Sequence, residues 1–248
     1  MKFTHFLCLF LLLASCKKTE QSVTKITGKN IKIDTTIVAS EDINQIIKPY
    51  KEELTDDMQE PLTFAPIDLT KENIGKQSNL GNLLADLCIE MANPVFHKKT
   101  KKNIDFSMFN SGGIRAIIPK GVVTRERAFK VMPFENELVV VTLSGDKMEE
   151  LIQYFIKTKA AHPLSQNIDL TIKGNDYTLK INGKPFDKSK SYSVLTTDYL
   201  QSGGDRMNFF KNPLKLTVLD YKMRDCIIDY FQKVDTLKTG IDNRIKLK

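Results

Sequence analysis

Histidine occurs only three times in the 248 residues and cysteine four times, and no C-x-x-C, G-x-G-x-x-G or G-x-x-x-x-G-K-[ST] pattern is present. The cysteine count excludes a disulfide-dense scaffold, and without a C-x-x-C pair nothing suggests a zinc ribbon. The missing glycine patterns exclude the dinucleotide fingerprint and the P-loop as routes to phosphate binding. Of the histidines, His5 lies in the apolar leader and His97 in a basic stretch; His162 precedes Pro163. Neither His97 nor His162 has a carboxylate or second histidine at ligand spacing, so both are expected at the surface rather than on a metal.

What is present begins with the leader. "MKFTHFLCLFLLLASC" places a lysine before an apolar run too short to span a bilayer, then small residues before Cys16. Leu13-Ala14-Ser15-Cys16 resembles a bacterial lipobox, which implies a signal peptide over residues 1–15, lipidation of Cys16 and attachment to a membrane of the cell envelope. Residues 16–39 are polar and weakly patterned, as expected of a tether between anchor and domain. Cys88 and Cys226 fall in apolar helical patterns and read as small core residues. The net charge of +7 becomes +6 without residues 1–15, whose only lysine or arginine is Lys2 and which contain no acid. The basic cluster "HKKTKKN" reads as a solvated loop, and no nucleic-acid partner is expected of an exported chain.

Strand and helix patterns interleave from Ser40 onward without a regular βα repeat, which predicts a mixed, layered α/β domain over residues 40–248. Ser40 is a candidate N-cap for "EDINQIIKPYKEEL", with Pro49 expected to kink or interrupt the helix. "PLTFAPIDLT" reads as extended. In "SNLGNLLADLCIEMAN" the spacing of Leu80, Leu83, Leu84, Leu87 and Met91 predicts a buried helix face, expected to stop soon after Pro94. "NIDFSMFN", "ELVVVTLSG" and "SYSVLTT" read as strands, "DKMEELIQYFIKT" and "YKMRDCIIDYFQKV" as helices, and "IDLTIKGNDYTLKING" as a hairpin.

Two strand-like runs end in a glycine pair followed by one charged residue: Gly112-Gly113 with Arg115, and Gly203-Gly204 with Asp205. Paired glycines permit positive φ and close approach of a ligand or a second backbone, while strand ends hold such loops rigid. Phe134 in the polar loop "VMPFEN" and Tyr199 ahead of the second pair add two aromatics. Together with Asn110, such groups can stack on a base, bond its edge and accept from ribose hydroxyls.

"SNLGNLLAD", "FNSGGIRAIIPKG", "VMPFENELVVVTLSG" and "YSVLTTDYLQSGGD" resemble, in order and spacing, the motifs of the C-terminal domain of bacterial and animal 5′-nucleotidases, from about residue 40 to about residue 235. The resemblance implies a single layered α/β/β/α domain that recognises the nucleoside part of a nucleotide. It implies Phe134 and Tyr199 stacked on the two base faces, Asn110 at the base edge, Arg115 positioning ribose or substrate, and Asp205 accepting from the ribose hydroxyls. Gly112, Gly113, Gly203 and Gly204 would shape the two loops. Tyr199 stands where phenylalanine is common, and Arg206 where glycine is usual, which would crowd the loop. Lys76 lies where the family often carries arginines and is a candidate substrate contact.

In that family hydrolysis takes place on a separate N-terminal metallophosphoesterase domain, and this chain has neither its D-x-H nor its G-N-H-[DE] motif. The resemblance therefore implies no catalytic or metal-binding residues here and no cofactor in this chain, with divalent metals in a partner. The leading expectation is the recognition half of a split 5′-nucleotidase in nucleotide catabolism, lipid-anchored in the envelope and inactive alone, working with a separately encoded metallophosphoesterase. The alternatives are a free-standing nucleoside- or nucleotide-binding lipoprotein and a structural envelope protein that has lost its ligand.

Overall fold

The computed structural model describes residues 22–248; the expected signal peptide and Cys16 lie outside the described residues. The chain divides into two units at Lys48/Pro49, of which the second, Pro49–Lys248, holds both hydrophobic cores. Residues 22–40 carry neither helix nor strand. Helix α1, Glu41–Gln59, opens with two acids in its first turn, buries no side chain, and continues through Pro49 rather than being interrupted there.

In the larger unit a central sheet of β2 (Phe106–Ser107), β8 (Ser191–Thr197), β4 (Glu137–Ser144) and β9 (Lys215–Lys222) is ordered β2-β8-β4-β9. A second sheet is ordered β10-β5-β6-β7, from Ile245–Leu247, Ile168–Lys173, Asp176–Ile181 and Lys184–Pro185. β1 (Pro61–Ala65) and β3 (Gly121–Thr124) form a two-stranded ribbon. The expected hairpin is the β5–β6 pair, with Lys173 opposite Asp176 and Gly174 at φ +60° in the turn.

The central strands β4 and β8 are buried on both faces, which is why β4 reads as a near-continuous apolar run. On one side Leu138, Val140 and Leu195 join a core with the long helix α2 (Asn79–Thr100) and the last helix α6 (Met223–Lys233). On the other, Val141, Leu143 and Val194 pack with α4 (Gly145–Lys157) and with Ile168, Leu170 and Leu179 of the second sheet. This is the mixed α/β layering that the sequence predicts. Cys88 and Cys226 are both buried and free.

Helix α2 departs from expectation at its end. Its N-cap is Ser78, whose hydroxyl accepts from the Gly81 N–H, but it passes through Pro94 to Thr100. Pro94 removes one helical hydrogen bond. Beyond it, Phe96 is buried in the core, and Asn93 Oδ1 accepts from the Ile104 N–H at 2.8 Å, so tertiary contacts hold the last turns. The basic cluster is consequently not a loop at its start: His97, Lys98 and Lys99 form the last turn of α2, where cations complement the carbonyl end of the helix dipole. Helix α3 (Arg125–Val131) and strands β3, β9 and β10 have no counterpart in the sequence reading.

Candidate functional site

β2 pairs in parallel with β8, so the two chains leave the central sheet at the same end. β4 runs antiparallel to β8 with Leu138 opposite Thr197, and therefore enters the sheet there. Three connections meet at that end: the first glycine loop after β2, residues 132–136 before β4, and the short helix α5 (Asp198–Gln201) with the second glycine loop after β8. They enclose a cavity of about 380 Å³, a volume in the range of small-molecule sites.

Seven of the candidate residues line this cavity: Asn110, Gly112, Gly113, Arg115, Phe134, Tyr199 and Asp205. Gly203 and Gly204 do not line it. Gly203 has φ +95°, which favours glycine. A Cβ on Gly204 would come within 2.4 Å of Tyr199 Cε1, so the missing side chain is what lets the ring lie against the loop. The next two residues, Asp205 and Arg206, have φ +51° and +62°. Arg206 thus occupies the left-handed region that glycine enters without strain, with its side chain exposed to solvent.

The Asp205 carboxylate is gripped on both oxygens. Asn110 Nδ2 donates to Oδ2 at 2.6 Å, and the Tyr199 hydroxyl donates to Oδ1 at 3.0 Å. Phenylalanine at 199 could not make the second bond. The two rings remain open to solvent, Phe134 at 40% and Tyr199 at 45% exposure. The Arg115 guanidinium lies 5.9 Å from the Phe134 ring centroid, within cation–π reach.

Sequence reasoning missed Asn136, which lines the cavity, and Asp198, which joins the two aromatic loops. Asp198 Oδ1 accepts from the Asn136 side chain at 3.1 Å, from the Glu137 N–H at 3.2 Å and from the Tyr199 N–H at 2.7 Å. Their position beside Phe134 and Tyr199 is the only sequence signal that marks them. The Phe134 loop is fixed from behind by ion pairs from Arg224 and Lys222 to Glu135. The buried Arg224 guanidinium sits 4.3 Å from the Phe129 ring centroid.

Two expectations are corrected. Lys76 does not line the cavity; its ammonium donates to the carbonyls of Phe155, Ile156 and Thr158. It satisfies the unpaired carbonyls at the end of α4, away from the cavity that the other candidates line. His162 is not a surface residue but is buried. Its Nδ1 accepts from the Ser111 N–H at 3.1 Å, so the neutral ring carries its proton on Nε2. Burial lowers its pKa to about 4, with the Asp205 charge opposing and Lys76 assisting. Among the described residues, no three His, Cys, Asp or Glu side chains form a group that could hold a metal ion.

The family model described as 5′-nucleotidase, C-terminal domain, matches residues 62–212. The trifunctional nucleotide phosphoesterase protein YfkN of Bacillus subtilis is 25% identical over 228 residues, which is 82% of this chain and 15% of that protein. Protein UshA of Yersinia enterocolitica is 31% identical over 134 residues, 52% of this chain and 22% of its own length. Among solved structures, the 5′-nucleotidase precursor from Thermus thermophilus superposes with a TM-score of 0.66 at 22% identity, covering 82% of this chain and 42% of that one. The chain therefore spans less than half the length of these proteins.

The Glu135 anchor generates a pH prediction. Hydrogen bonds from Lys222 and Arg224 lower the Glu135 pKa to about 2. A depressed folded-state pKa means that the anchor's stabilisation is complete above the ordinary carboxylate range and is lost as pH falls towards about 2. Carbon-detected NMR should place the Glu135 carboxyl midpoint near 2 in the native protein, higher in Arg224→Met, which keeps Lys222, and back in the ordinary range only in Lys222→Met/Arg224→Met. An ordinary midpoint in the native protein would show that the ion pairs do not hold the loop in solution.

Proposed function

The chain belongs to the 5′-nucleotidase C-terminal domain family, and we propose on that premise that it is a nucleoside- and nucleotide-recognition unit working with a separately supplied metallophosphoesterase. One observation carries this reading: two half-exposed aromatic rings line the same cavity as a carboxylate whose orientation is fixed by protein donors. Exposed rings beside a preformed cavity suit a flat apolar ligand surface. A carboxylate oxygen has two lone pairs, so each oxygen of Asp205 accepts one protein bond and keeps a site for one hydroxyl of a cis-diol.

In this arrangement the base stacks on Phe134 and Tyr199, and the ribose hydroxyls donate to Asp205. Asn110 has its amide committed to Asp205, which favours a role on the ribose side. Asn136 uses its Nδ2 on Asp198 and presents its Oδ1 as the candidate acceptor for the base edge. Arg115 brings positive charge to the same cavity, suited to a ribose oxygen or the phosphate ester. The cavity's donor set, one gripped carboxylate with amides and rings, does not fit a pair of divalent ions. Metal-assisted hydrolysis is assigned to the partner, and this chain orients the nucleotide for it.

Calorimetry should detect adenosine or AMP, with 2′-deoxyadenosine weaker and Phe134→Ala costing about 1–3 kcal/mol from lost stacking. Binding of no nucleoside or nucleotide would refute the recognition role. Mixing the chain with a metallophosphoesterase that lacks a recognition domain, a divalent metal and AMP should release phosphate, with neither protein active by itself. Release by this chain alone would overturn the division of labour. We also propose that acylation of Cys16 holds the unit on an envelope membrane; Cys16→Ser should move it from the membrane to the soluble fraction.

A further inference from the structure

The two glycine loops are joined a second time, beneath the cavity. Ser111, next in the chain to Asn110, donates its N–H to His162 Nδ1 at 3.1 Å. The His162 ring stacks on Tyr154 with centroids 5.6 Å apart and an interplanar angle of 29°. The Tyr154 hydroxyl donates to the backbone carbonyl of Asp205 at 3.0 Å, and Phe209 braces the Tyr154 ring at a centroid distance of 5.3 Å. With the Asn110–Asp205 bond above, these contacts close a ring: Asn110, Ser111, His162, Tyr154, Asp205 and back to Asn110.

The two halves of this ring differ in exposure. Asn110 and Asp205 line the cavity, and a ligand hydroxyl would share an Asp205 oxygen with the Asn110 amide. In the lower half His162 is buried and Tyr154 half-buried, and the His162 Nε2 faces the Tyr154 and Thr158 hydroxyls at 3.5 Å each. A ligand on the Asp205 carboxylate adds a second donor at the upper link, whereas the lower link uses the Asp205 backbone carbonyl and is not shared with it.

We propose that His162 and Tyr154 are positioning residues: a strut, buried at His162, that sets the spacing of the two ligand loops and keeps it when a ligand engages Asp205. The strut rests on the recognition role proposed above for its effect on affinity, but its mechanical effect exists without ligand. His162 acts as an acceptor for one backbone N–H. Asparagine, whose Oδ1 occupies nearly the place of Nδ1, can replace it in that respect, whereas leucine cannot.

The test uses the full-length protein with two readouts: amide hydrogen exchange over residues 110–115 and 203–207 without ligand, and adenosine affinity. His162→Leu should raise exchange in the first segment and weaken adenosine about three- to tenfold, the range for one lost hydrogen bond. His162→Asn should restore both. Tyr154→Phe should raise exchange chiefly in the second segment with a similar loss of affinity. The double variant His162→Leu/Tyr154→Phe should lose less than the product of the two, because both act through one strut. Circular dichroism separates these effects from global unfolding, and if His162→Leu does not fold, Tyr154→Phe and His162→Asn decide alone. Unchanged exchange in folded His162→Leu and Tyr154→Phe, or failure of asparagine to restore protection, would overturn the proposal. If the native protein binds no nucleoside, the recognition role fails, while the exchange readout still decides the strut.

Discussion

The site depends on one hydrogen bond between residues far apart in sequence: Asn110 Nδ2 to the Asp205 carboxylate. It joins the loop that follows β2 to the loop that follows β8. A bond to an ionised acceptor is shorter and stronger than a neutral one, and here it also sets where the negative charge points. The Tyr199 hydroxyl holds the other oxygen, so the ring that faces the cavity and the carboxylate beside it are oriented together. Without that grip Asp205 would be a solvated side chain on a turn, and any ligand would have to supply its ordering entropy.

The central sheet makes the bond geometrically available. Parallel β2 and β8 finish at one end, and antiparallel β4 begins there, so three unrelated stretches of chain converge without a long loop. Local costs accumulate at this point: two left-handed non-glycine residues in succession and two half-exposed aromatic rings. Such features persist where surrounding structure over-determines them. Asp198 beneath the aromatic loops, Arg224 and Lys222 behind Glu135, and the packed cores on both faces of the sheet supply that surrounding structure. A preformed cavity on rigid strand ends is consistent with binding that requires little rearrangement.

Legibility differed by the kind of interaction. α2 and α4 were readable because each buries a periodic set of side chains, and β4 because its burial on both faces leaves a short continuous apolar run. Helix α2 runs on past Pro94 because proline's local penalty is visible in sequence while opposing tertiary contacts such as buried Phe96 are not. β9, whose residues are mostly exposed or half-exposed, carries little pattern to read. The family motifs pointed to residues that line one cavity, but Lys76 was drawn in by its neighbourhood in the motif, and its ammonium is committed to helix carbonyls. Asn136 and Asp198 escaped notice because their work consists of contacts across loops.

By itself the sequence determined the layered α/β class, the family, and which residue types stand at the loop ends, since these rest on local periodicity and on ordered motifs. Only the tertiary structure decided what those residues do to one another: that Asn110 serves Asp205, that Tyr199 contributes its hydroxyl, and that His162 is buried under the first glycine loop. The physical reason is range. Propensity and burial act within a few residues and leave a periodic trace, whereas a hydrogen bond between side chains on different strands constrains two positions and leaves no pattern between them.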